Sequence, residues 1–191
     1  AARGLVAGGN ERMDDAAALA HASELEGHPD NVAACLLGGL TIAWNDGDGA
    51  RALKVPTSNA LAPVVFVPGS SSSTKAVRKL LPDSVPHADA AANAARSALL
   101  VEALRAHPEE LMAATEDRLH QQYRASAMPR TAALVAELRE AGIPAVVSGA
   151  GPTVLALTTT ATRSRAEGFA RRGWSALPLA IAAKGAHTTS L

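Results

Sequence analysis

Ala145-Val146-Val147-Ser148-Gly149-Ala150-Gly151-Pro152-Thr153-Val154-Leu155-Ala156-Leu157 decides the fold of this chain. The apolar runs at 145–147 and 153–157 read as short strands, and Gly149 to Pro152 between them is a turn signal. Just upstream, residues 130–141 carry helical periodicity that stops at Gly142 and Pro144. Downstream come a helix near 161–172 and a strand over 175–181. Further upstream, a strand at 62–67 closes on Pro68-Gly69, and a serine run leads to a short helix over 74–81. A long Ala/Leu-rich helix spans 87–105, Pro108 opens another, and 123–129 reads as a loop. From residue 62 the order is strand, helices, strand, strand, helix, strand. That order predicts an α+β fold, a ferredoxin-like sandwich over residues 61–191.

Residues 1–60 form a separate unit in this reading. A helix over 13–26 places Ala16, Leu19, Ala20 and Ser23 at helical spacing. A strand at 40–44, the turn Asn45-Asp46-Gly47-Asp48-Gly49 and a partner at 51–55 predict a hairpin. The opening Ala1-Ala2-Arg3-Gly4-Leu5-Val6-Ala7-Gly8-Gly9 looks like the end of an Ala-rich helix, so 1–60 reads as the remnant of a preceding domain.

Composition narrows the function. With 18 basic and 18 acidic side chains the chain lacks the basic excess that nucleic-acid binding requires. Aromatics at 3% leave few rings for base stacking. No apolar run reaches the roughly 20 residues that span a bilayer. The single cysteine, Cys35, excludes an internal disulfide and fits a reducing compartment. Its apolar neighbours make it read as a small core residue. The expectation is a soluble cytoplasmic protein with no nucleic-acid and no membrane partner.

Chemistry concentrates in Glu26-Gly27-His28-Pro29-Asp30-Asn31, followed by the apolar helical run from Val32 to Leu37. Taken alone, this stretch has two readings. Asp30 or Asn31 is the N-cap of the next helix with Pro29 as its entry signal. Alternatively, the turn displays polar groups at a helix N-terminus, where a small charged substrate or a phosphate is favoured. A zinc site needs more His or Cys at ligand spacing than His28 and Asp30 have around them. The Gly69-Ser70-Ser71-Ser72-Ser73-Thr74-Lys75 run lacks the glycine before the lysine that a Walker loop requires.

Four ordered patterns carry a resemblance. They are Glu24-Leu25-Glu26-Gly27-His28-Pro29-Asp30-Asn31, Ser73-Thr74-Lys75-Ala76-Val77-Arg78, Asp117-Arg118-Leu119-His120-Gln121-Gln122-Tyr123-Arg124, and Ser148-Gly149-Ala150-Gly151-Pro152-Thr153-Val154. Together they resemble the homoserine kinase branch of the GHMP small-molecule kinases, along nearly the whole chain. The resemblance implies that 1–60 is the C-terminal part of the ATP-binding N-terminal domain and 61–191 the GHMP C-terminal domain. It also implies a Gly-Ser-rich phosphate loop ahead of Ala1, making the chain a C-terminal portion with little ATP turnover by itself.

The resemblance implies roles residue by residue. ATP and L-homoserine are the substrates, Mg2+ the metal, and a homodimer is allowed. Glu24, or Glu26 in its place, would bind magnesium, since a hard cation needs an anionic oxygen beside the phosphates. His28, Asp30 and Asn31 match the substrate-binding turn, with Asp30 accepting from the ammonium and Asn31 also counted as catalytic. Thr74, Arg78 and Arg124 match substrate-binding positions, the two arginines gripping the carboxylate, and Arg124 is also counted as catalytic. A guanidinium fork suits a planar carboxylate better than a lysine does. Gly149 and Gly151 would let backbone approach the nucleotide. Plain structural readings stand beside these: solvated glutamates, a surface Arg78, a helix-terminal Arg124, a tight turn at the glycines. A different GHMP kinase, or a non-catalytic ferredoxin-like ligand-binding module, remain the alternatives.

Overall fold

The computed structural model describes residues 14–69 and 80–187, which fall into two bodies divided near residue 57, with 181–187 joining the first. The expected helix over 74–81 lies outside the described residues up to 79, Thr74 and Arg78 included, and so does the opening at 1–9; residues 80 and 81 form a turn and a bend.

The first body begins with α1 (Asp15–Glu26). Asp14 caps it by accepting from the Ala17 N–H at 2.7 Å, and Gly27 ends it at φ 89°. Next comes α2 (Asp30–Leu37), then the antiparallel hairpin β1 (Leu40–Asp46) and β2 (Gly49–Val55), in register from Leu40 opposite Val55 to Asp46 opposite Gly49. The strand pair runs two residues further into the turn than the sequence suggests, because Asn45 and Asp46 still pair with Ala50 and Gly49.

Ala18, Leu19, Ala33 and Leu36 form the small core of this body, with Ala43, Ala50 and Ala52 of the hairpin against it. Small residues let two helices and a two-stranded sheet approach closely. Cys35 corrects an expectation. It is exposed, because helical phase turns Ala33 and Leu36 inward and Cys35 away from them. Residues 181–187 are stitched on by backbone: the Gly39 N–H donates to Ala182 O at 2.7 Å and the Ala186 N–H to Cys35 O at 2.8 Å.

The second body contains a four-stranded sheet, β3 (Val64–Pro68), β4 (Ala145–Val147), β5 (Val154–Ala156) and β6 (Trp174–Pro178), in the order β4-β5-β3-β6 with every neighbour antiparallel. Helices α3 (His87–Arg105), α4 (Leu111–Ala114), α5 (Gln121–Arg124) and α6 (Pro129–Glu140) lie between β3 and β4, and α7 (Arg163–Glu167) precedes β6. This is the ferredoxin-like order expected.

Alternation along β3 sends Val64 and Phe66 inward, where Leu134 and Leu138 of α6, Ile143, Val154 and Ala166 of α7 bury them completely or nearly so. Three elements differ from the sequence reading, the first being β6, expected over 175–181 but ending at Pro178. Residues 121–127, expected partly as loop, form α5 and a 3-10 turn, held by side-chain bonds described below. The helix expected over 161–172 covers 163–167, since Gly168 closes it with its N–H on Ala166 O and Ser164 O.

Candidate functional site

In the first body the Gly27–Asn31 turn leaves its polar groups largely unspent. Pro29, not Asp30 or Asn31, is the N-cap of α2, and no side chain caps the helix. The capping expectation for those two residues is thereby corrected. Asp30 sits in the first turn and accepts from the Asn31 N–H at 2.7 Å, a bond too local to close the helix end. His28 Nδ1 lies 2.6 Å from Asp30 Oδ1, within ion-pair distance, but makes no hydrogen bond of good geometry. A helix N-terminus without a side-chain cap, beside an imidazole and an exposed carboxylate, can meet both charges of a zwitterionic ligand.

Glu24 stands on the last turns of α1, 77% exposed, with His21 Nδ1 3.8 Å away. Glu26 ends the same helix and is also exposed. Among the described residues no group of three or more His, Cys, Asp or Glu converges on a metal position. A lone exposed carboxylate fits a magnesium ion that takes its other ligands from phosphates and water.

The second body carries a tighter arrangement. Arg124 ends α5 and donates from Nη1 to Gly149 O at 3.3 Å, while its Nε is buried without a partner. Gln121, one turn earlier, accepts the Val147 N–H at 2.8 Å. Thr131 donates to Pro152 O at 2.8 Å. The segment 121–131 thus grips both ends of the glycine turn. Gly151 is required here. It has φ +82°, and a Cβ would come within 2.9 Å of Val147 Cγ1 and 2.8 Å of Met128 Sδ. Gly149, at φ +58°, faces open space.

Asp117 organises the approach to α5. Its Oδ2 accepts from the Gln121 N–H at 2.6 Å and the His120 N–H at 3.0 Å. Its Oδ1 accepts from Asn93 Nδ2 at 3.1 Å and the Leu119 N–H at 3.2 Å, with His120 Nδ1 at 3.0 Å. Burial pushes this carboxyl up, but the bonds from Gln121, His120, Asn93 and Leu119 outweigh it and hold it at about 2. Asn93 in turn accepts the Arg118 N–H at 2.7 Å. Within the Asp117–Arg124 segment the family resemblance implies a role for Arg124 alone. An aspartate just ahead of a polar helical start was the available signal.

Of the expected site residues, His28, Asp30 and Asn31 cluster on the first body, and Arg124 joins Gly149 and Gly151 on the second. The GHMP kinases C-terminal family matches residues 95–176, within the second body. The homoserine kinase of Streptomyces avermitilis is 56% identical over all 191 residues of this chain, which cover 63% of that relative. That of Streptomyces coelicolor is 58% identical over the same 191 residues, with 62% of it covered. The chain therefore spans less than two thirds of the length of these curated relatives. A crystal structure of homoserine kinase from Cytophaga hutchinsonii matches with a TM-score of 0.67 at 22% identity, over 81% of this chain and 52% of that one. A putative homoserine kinase from Listeria monocytogenes matches at 0.63, also 22% identical, over 87% and 57%. These two support the fold. Residues 95–176 thus match a GHMP kinase C-terminal domain, and the chain is similar along its whole length to homoserine kinases.

Proposed function

We propose that these residues serve ATP-dependent phosphorylation of L-homoserine, and that they supply mainly the amino-acid side of that site. The observation that carries the reading is Arg124, pinned over the Gly149 carbonyl with a buried Nε–H left unpaired. A buried guanidinium edge without a partner costs free energy unless a ligand oxygen meets it. A carboxylate does so with matching geometry. Asp30 would accept from the ammonium, and His28 and Asn31 would orient the amino acid and its hydroxyl. Arg78 and Thr74 are proposed for the same ligand.

Phosphoryl transfer depends mostly on alignment and charge stabilisation. A set of positioning groups with no strong base suits that demand. The glycine turn at Gly149 and Gly151 would offer backbone to the nucleotide. Magnesium, held by Glu24 or Glu26, would neutralise phosphate charge when bound. The reaction so read belongs to the cytoplasm, and no described helix is long and apolar enough to cross a membrane.

Ligand-observed NMR titration, which reads millimolar affinities, tests the assignment. Arg124→Ala should weaken L-homoserine about 30-fold and ATP less than about twofold, the loss of one charge-assisted pair. Arg124→Lys should recover part of the homoserine affinity. Unchanged homoserine binding in Arg124→Ala, or no binding by the unsubstituted chain, would overturn the reading.

A further inference from the structure

We propose that Asp117 is a positioning residue for substrate recognition: its carboxylate sets the 121–124 turn so that Arg124 and the glycine turn present one fixed face. This deepens the homoserine reading above and rests on it. Five donor positions from four residues converge on two oxygens: three backbone amides, the Asn93 carboxamide and the His120 ring. A carboxylate only accepts, so His120 carries its proton on Nδ1 in this arrangement. The backbone bonds fall on residues 119, 120 and 121, the entry to α5.

A four-residue helix has no ladder of its own to fix its direction. Its orientation must come from outside. Asp117 holds the entry, the Gln121–Val147 bond ties the first residue to β4, and Arg124 at the exit reaches Gly149. Asn93 anchors the same carboxylate to α3, the longest helix of the body. The strain of a wrongly aimed turn would therefore appear at the arginine, since Arg124 is the residue that ends it.

Asp117→Asn breaks this in a defined way. Whichever way the amide is placed, one of the two oxygens becomes an N–H donor facing other donors. The turn loses its fixed direction while the body keeps its core, which lies in β3, α6, β5 and α7.

The test is a double-mutant cycle read by L-homoserine affinity in NMR titrations, with thermal melting as the control for folding. Asp117→Asn should weaken homoserine about tenfold, the scale of loss that follows a small misplacement of a binding group. In the Arg124→Ala background the same substitution should change affinity by less than about twofold, because it acts through the arginine. A residue that only stabilises the body would give equal losses in both backgrounds, and that additivity overturns the proposal.

Asn93→Ala, which keeps the carboxylate and removes one donor, should give a smaller loss, about threefold, that likewise vanishes without Arg124. If neither variant melts cooperatively, Asp117 is a structural residue and the proposal falls. If Arg124→Ala itself leaves homoserine binding intact, the substrate reading fails instead. If Arg124→Ala weakens binding and Asp117→Asn does not, the positioning role alone fails.

Discussion

The turn at Gly27–Asn31 and the segment Asp117–Arg124 both bring charged and amide groups to the start of a helix, but they spend them differently. In the first, Pro29 occupies the cap position, and Asp30 reaches only local groups, the Asn31 N–H and His28 Nδ1 at 2.6 Å. In the second, one carboxylate is saturated by its surroundings and the resulting turn aims a single arginine. Free polar groups adapt to a ligand and contribute little to folding. Saturated ones fix geometry and are costly to disturb.

The sharpest way to break the second region is at Gly151. Gly151→Ala puts a methyl at φ +82° against Val147 Cγ1, on a stiff β-branched side chain, and against the more yielding Met128 sulfur. Overpacking and the left-handed backbone together should cost about 2–4 kcal/mol of unfolding free energy. Gly149→Ala, with no heavy atom near its Cβ, should lose only the backbone part, about 1 kcal/mol. Urea unfolding of the two variants separates them. Equal losses would mean that the close approach at Gly151 contributes nothing.

Acid should distinguish the two regions next. Asp117 is held at about 2 in the folded chain against an ordinary 3.8. A depressed carboxyl stabilises the fold above its unfolded value and loses that contribution as pH falls through the folded one. Between about pH 4 and pH 2 the chain should therefore lose about 2 kcal/mol through this group. Asp117→Asn should remove that part of the pH slope, measured as denaturation midpoints across the range. An unaltered slope in the variant would show that the carboxylate is not the group responsible.

Much of this contrast is legible in the sequence. Helix α3 follows from its Ala/Leu-rich composition, the flanks of the glycine turn from short apolar runs, and the ferredoxin-like sheet from the order of elements. Cys35 was misread since apolar neighbours do not reveal which side of a short helix faces the core. Asp30 and Asn31 carry the chemistry of caps, yet the chain enters α2 one residue earlier, at a proline. Asp117 was hidden for another reason. Its partner Asn93 lies 24 positions away on α3, and no local pattern announces a bond of that separation.

The Gly27–Asn31 turn gives the smallest expected change. Asp30→Ala removes an exposed carboxylate whose hydrogen bond reaches only the next residue. Its remaining structural contributions are the solvent-exposed pairing with His28 and the negative charge in the first turn of α2, so unfolding free energy should fall by about 1 kcal/mol or less. Homoserine affinity should nevertheless drop, while a ligand lacking the ammonium should be indifferent to the change. A loss of stability above about 1.5 kcal/mol would be that of a true cap. It would move Asp30 into the same class as Asp117 and dissolve the contrast between an adaptable turn and a fixed one.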